Sequence, residues 1–178
     1  MTLDAMFGPL IAPQIRNFGP PVQVWEQDFV PASLCKLDAS SAPPLLQMMH
    51  NIESGWKTGK VLTFDTIIIW LVDHAGDIWF AVEELVLDGM ATGRPKHQTL
   101  PITATMPKLG HPALNNGASA RIAGEVYFDT GISPPTWVIN NNSGRYGRHP
   151  SRTAIHLDNV AAKFRDQGIN LIPYFRSL

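Results

Sequence analysis

The 178 residues contain one cysteine, Cys35, so no disulfide can form within the chain. A lone cysteine is most often a small buried hydrophobe, and that is the expectation here. Charge is also scarce. Only 16% of residues are charged against 44% hydrophobic, which excludes a disordered chain and points to a globular one. No apolar run approaches the length of a membrane helix, and Met1 to Pro20 lacks the basic start and apolar core of a signal peptide. The expected location is the cytoplasm, or one reached through a secretion system, with no membrane partner.

Several chemistries lack their signatures. No phosphate-loop pattern, no glycine fingerprint after a strand and no paired Cys or His spacing for zinc occurs. A nucleophile elbow is missing too, because Asn141 and Arg145 stand around Ser143 where that turn needs glycines. An ATPase, a Rossmann dehydrogenase, a zinc enzyme and an α/β-hydrolase are thereby disfavoured. No metal and no resident cofactor is expected, with NAD entering only as a substrate.

The length fits one domain with a sizeable core. Residues 1–42 are punctuated by Pro9, Pro13, Pro20, Pro21 and Pro31, predicting an irregular arm that packs on the core or on a partner. Residues 43–178 then form a single α+β domain. Leu45, Met48, Met49, Ile52 and Trp56 recur at helical spacing behind a Ser40 or Ser41 cap, giving a helix near 43–57. Strands over 61–72 and 78–85 flank the turn Asp73 to Asp77, the clearest hairpin in the chain. Residues 87–100 read as loop, and 99–105 as an edge strand. Strands over 121–128 and 136–140 precede a helix over 151–167 and a last short strand over 169–174. The fold class is α+β, a mainly antiparallel sheet with two flanking helices and an irregular N-terminal arm.

Net charge is −1, but it is unevenly spread. Residues 141–178 hold six basic and two acidic side chains, so that end carries +4 and the rest −5. A basic end can draw in phosphate-bearing ligands. Between His111 and Tyr146 lies a set of groups suited to proton transfer. Glu125 sits on one strand parity with Arg121, Ala123 and Tyr127, and the turn after 136–140 carries Ser143, Arg145, Tyr146 and Arg148. His111, Glu125 and Tyr146 are the candidate catalytic residues, with Ser143, Arg145 and Arg148 as substrate-binding ones. The expectation is that they line one cleft.

The order of His111, then Ala123-Gly124-Glu125, then Ser143-Gly144-Arg145-Tyr146 before a final helix resembles a C-terminal module of bacterial effector and polymorphic-toxin proteins. The resemblance covers roughly residues 74 to 170. That pattern has Ser-Ser after the first His and a second His before the Tyr, where this chain has Pro112, Ala113 and Arg145. A toxin-type domain implies metal-free His/Glu chemistry on a nucleotide, with RNA or NAD as substrate and a cognate inhibitor or other protein as partner. RNA cleavage and ADP-ribosyl transfer both stay open. The transferase order places Glu after Tyr, whereas no Glu follows Glu125 here. The alternative is a non-catalytic binding module or interaction protein.

Overall fold

A computed structural model of the chain describes residues 1–13, 21–57, 66–88, 90–95 and 107–177. Its core is a sheet of six strands: β1 (Cys35–Lys36), β2 (Ile68–Val72), β3 (Ile78–Val82), β6 (Ile122–Asp129), β7 (Thr136–Asn140) and β8 (Ile172–Tyr174). Their order across the sheet is β1-β3-β2-β6-β7-β8. Every pairing is antiparallel except β7 with β8. The fold is α+β with a mostly antiparallel sheet, as the alternating runs predict.

Side chains alternate across each strand, so one parity builds the main core. Ile68, Trp70, Val72, Ile78, Phe80, Ile122, Val126, Phe128, Trp137 and Ile139 all point to one face. Two helices cover it, α3 (Ala42–Lys57) through Leu45, Met49 and Ile52, and α4 (Ala154–Asp166) through Leu157, Val160, Ala161 and Phe164. α3 is capped by Asp38, whose carboxylate accepts from the Ser40 and Ser41 amides at 2.8 and 3.0 Å. The Ser41 hydroxyl accepts in return from the Asp38 amide at 3.0 Å. The cap therefore lies two residues earlier than the serine pattern implies, because a carboxylate can satisfy two orphan amides at once.

The described part of the arm contains two short helices, α1 (Leu3–Phe7) and α2 (Trp25–Asp28), and the edge strand β1, in otherwise irregular backbone. Phe7 enters the helix-side core, and α2 lies against the 3-10 turn His111–Leu114 on the opposite side of the sheet. The arm thus touches both faces of the sheet.

Two expectations need correcting. The expected loop 87–100 is largely strand as far as it is described: β4 (Glu84–Leu87) and β5 (Met90–Pro95) form a second, two-stranded sheet. Cys35, expected to be buried, is exposed, since its strand β1 is a two-residue edge of the main sheet. Adjacent Glu83 and Glu84 are both buried where the chain leaves the main sheet after β3. The expected edge strand 99–105, and residues 61–65 of the 61–72 strand, lie outside the described residues. Among the described residues no helix is long and apolar enough to cross a membrane.

Candidate functional site

The sheet face opposite the helices is divided. Over β2, β3 and the start of β6 it is covered by a second cluster that includes Ile69, Leu71, Ala81, Ala123, Leu114, Ala120 and Tyr146. Over the end of β6 and over β8 it is more open among the described residues, with Tyr127 and Asp129 half-buried and Ile172 and Tyr174 exposed. Val138 and Asn140 of β7 between them are buried. Glu125 stands at the border, on the same parity as Ala123 and Tyr127. Its register partner is Asn140 across the β6–β7 ladder, and Tyr174 faces Asn140 in turn. One row of side chains therefore runs Glu125, Asn140, Tyr174, and the next runs Tyr127, Val138, Ile172.

The three consecutive asparagines have three separate jobs. Asn140 donates to the Glu125 carboxylate at 3.3 Å, and its carbonyl oxygen accepts from the Glu125 and Asn142 amides at 3.1 and 2.8 Å. Asn142 donates its side-chain amide to both carboxylate oxygens, at 3.1 and 3.0 Å. Asn141, fully buried, donates to the carbonyls of Gly147 and Arg176 and accepts from the Arg176 amide at 2.7 Å. The Glu125 carboxylate is thus aimed by two neutral amides, and no ion pair of the described residues includes it. Gly124 makes the arrangement possible. A Cβ there would collide with the Asn140 carbonyl and the Asn141 backbone. Gly147 plays the same part from the other side, against the carbonyls of Ala123 and Asn141.

His111 opens the 3-10 turn and lies on the same side of the sheet as Glu125, since Leu114 of that turn packs with Ala123. Its Nε2 is 2.8 Å from the Gly124 carbonyl oxygen. A carbonyl only accepts, so Nε2 carries the proton and the neutral ring keeps its lone pair on Nδ1. Burial holds the ring below the usual histidine range. The Gly124 bond, Glu125 and Glu83 oppose that shift, and Arg145 adds to it. His111 is therefore a neutral interior base beside the residue that carries Glu125.

The other candidates are placed differently. Tyr146 is fully buried, and its hydroxyl donates to the Ala118 carbonyl at 2.8 Å. Burial pushes its phenol well above the ordinary range. Ser143 is buried and accepts from the Tyr146 amide at 3.3 Å. Arg145 donates to Glu26 at 2.9 Å and to the Pro21 carbonyl at 3.0 Å, so the arm closes over it. Arg148 is half-buried, and its backbone amide donates to the Ser143 carbonyl at 2.8 Å. His111 reaches the backbone next to Glu125 but is buried in the covered half, to which Tyr146, Ser143 and Arg145 also belong.

The open half contains a hollow of about 410 Å³ lined by Tyr127, Asp129, Val138, Ile172, Tyr174 and Arg176, among others. The Arg176 guanidinium lies over the Tyr174 ring at 5.6 Å. Tyr127 stands two residues from Glu125 on the same face of β6, so the carboxylate adjoins the hollow without lining it. The hollow thus combines aromatic faces, a guanidinium and a nearby oriented carboxylate. Reading the sequence alone singles out neither Tyr174 nor Arg176, because nothing local says that β8 will lie beside β7. The repeated asparagines were the available signal, yet they also read as ordinary turn formers.

Among the described residues no group of three or more His, Cys, Asp or Glu is placed to hold a metal ion. No protein-family model, curated protein or solved structure matches the chain.

Proposed function

We propose that the chain is an effector- or toxin-type domain that binds a phosphate-bearing nucleotide ligand, of the RNA or NAD kind, along the open half of the sheet. Glu125 is the group that meets the ligand. One observation carries this reading: a half-exposed carboxylate, aimed by Asn140 and Asn142, stands in a row with Tyr174 beside a hollow that contains Arg176. An aromatic face stacks a base, a guanidinium takes a phosphate, and a fixed carboxylate accepts ribose hydroxyls. In this reading Glu125 is the acid–base group, and neutral His111 positions its strand through the Gly124 carbonyl.

A binding module without turnover is the second reading. It is favoured by the closure of His111 and Tyr146, which leaves Glu125 as the proton-transfer group of the original trio that is half-exposed. One experiment separates the two. Titrate the protein with NAD and with short RNA, and analyse the same mixtures for cleaved or transferred products. Glu125→Gln should weaken binding about tenfold or more, the scale of one charge-assisted hydrogen bond. Tyr146→Phe should bind like the parent. Products in the parent mixture establish an enzyme, and binding without products establishes the module. Equal affinity in Glu125→Gln and parent, or no binding of either ligand, overturns the proposal.

A further inference from the structure

The molecule buries more positive charge at one place than it balances. Arg152 is 4% exposed and Arg121 is 8% exposed, and both reach the Gly8–Pro9 backbone. Arg121 pairs with Asp4 and also donates to the carbonyls of Gly8 and His74 at 3.1 and 3.3 Å. Arg152 donates from Nε to the Tyr146 carbonyl at 3.0 Å, and from Nη1 to the Pro9 carbonyl and the Ser151 hydroxyl at 2.9 and 3.2 Å. No carboxylate of the described residues pairs with Arg152. Its guanidinium is pushed down to about 10, first by burial and then by Arg121.

Two of these nitrogens have no hydrogen-bond partner among the described residues although both are shut off from solvent: Arg152 Nη2 and Arg121 Nε. A buried donor left unmade on a charged group is costly, and an ordered water or an ion relieves it; on a guanidinium with no carboxylate partner an anion relieves the charge as well. Arg152 also lies next to the first turn of α4. A Cβ built on Gly8 would come within 3.3 Å of both the Arg152 guanidinium carbon and His156 Nδ1, which is in that turn. The turn contains no acidic residue, and its cap is neutral: the Thr153 side chain accepts from the His156 amide, and His156 Nδ1 accepts from the Thr153 amide at 3.1 Å. No negative charge therefore balances the positive end of the helix. His149 and His156 are both held below the ordinary histidine range, by burial first and by Arg152 second.

We propose that Arg152, Arg121 and the N-terminal end of α4 form a binding site for a small inorganic anion, covered by the N-terminal segment Leu3 to Pro13. Both nitrogens are shut off from solvent, so the occupant proposed is a small ion, a halide or one phosphate. The occupant neutralises the surplus guanidinium and ties together α4, the Tyr146 turn and the N-terminal segment. It stands apart from the ligand proposed for the Glu125 hollow.

The test is thermal unfolding of the full chain at constant ionic strength, in gluconate, with chloride or phosphate exchanged in stepwise. A specific site gives a saturating rise in Tm, because a ligand bound only by the folded state stabilises by mass action. We expect a rise of several degrees with at least one of the two anions, and its loss in Arg152→Lys, which keeps the charge but removes Nη2. Arg165→Gln, at an exposed arginine in the last turn of α4, should keep the full rise, which controls for general salt effects. If Arg152→Lys does not fold, a crystal soaked in bromide decides, with anomalous signal expected within hydrogen-bond distance of Arg152 Nη2. The site is disproved by a Tm that ignores both anions, by an undiminished rise in Arg152→Lys, or by a bromide-free map at that nitrogen.

Discussion

The two halves of the sheet face opposite the helices share one strand, β6, and differ in almost everything else. On the covered half the candidate groups are tied to interior partners: His111 with Gly124, Tyr146 with Ala118 and Arg145 with Glu26. On the open half Ile172 and Tyr174 are 52% and 55% exposed, and Arg176 is also exposed. The same alternation that sends Ala123 under the cover sends Tyr127 into the open. Residues that look catalytic by type can therefore be structural pins, while the exposed surface is built from less conspicuous ones. Exposure, not residue identity, separates the two halves.

The comparison breaks most visibly at Glu26. Its carboxylate is buried, accepts from the Gln23 amide at 2.9 Å and pairs with Arg145. Glu26→Ala would leave the Arg145 guanidinium without that partner in the covered half. Removing one member of a buried pair typically costs about 3–5 kcal/mol. The expected outcome is a large drop in the denaturant midpoint, measured by Trp fluorescence, and exposure of residues around the 3-10 turn to hydrogen exchange. A change within about 0.5 kcal/mol would mean that the arm is not part of the covered half in solution.

The strands of the main sheet were legible because β-branched and aromatic residues alternate there. The hairpin of β2 and β3, the β6–β7 pair and both helices follow from period 2 and period 3.6 patterns in the chain. What failed to show was long-range. β8 has only three residues and joins β7 in parallel, anchored by Asn141 to Arg176 across 35 positions. β4 and β5 are irregularly paired, with Glu84 turned inward to accept from the Ala32 and Ser33 amides at 3.1 and 3.0 Å. No local pattern announces a glutamate that serves a loop fifty residues earlier. In the site, the outward parity of Glu125 was readable, whereas its two amide partners depend on register and turn geometry. The burial of His111 depends on the fold of the arm over the 3-10 turn.

A smaller effect separates the halves by pH. Burial leads the depression of His111, so its folded pKa lies below the unfolded one. The unfolded chain then takes up a proton first as pH falls. Stability from this group is complete above the unfolded value, near 6.5, and is lost as pH drops through the folded value. His149 and His156 shift in the same direction, so acidification should weaken the fold through three histidines. Urea midpoints at pH 7.5 and pH 5.5 should fall for the parent and fall less for His111→Gln. An equal fall in both proteins would mean that His111 is solvated or charged in the fold.

The smallest effect on stability belongs to Tyr174, and it is the sharpest test of the open half. Tyr174 is on the edge strand β8, more than half exposed, with its ring against Arg176 and no core contact. Surface substitutions of this kind usually change stability by no more than about 0.5 kcal/mol. Some loss is expected through the Arg176 contact, since an exposed cation–aromatic pair contributes about 0.5–1 kcal/mol. Tyr174→Ala should therefore melt within a few degrees of the parent. Its ring is nevertheless a wall of the hollow, and its row leads directly to Asn140 and Glu125. If that row is the ligand surface, removing the ring costs the stacking contact, about 1–3 kcal/mol per base, or roughly five- to a hundred-fold in affinity. The two readouts must separate: nearly unchanged melting with clearly weaker NAD or RNA binding. Weaker binding with an equal loss of stability would make Tyr174 one more structural pin. Unchanged binding would move the ligand off the open half altogether.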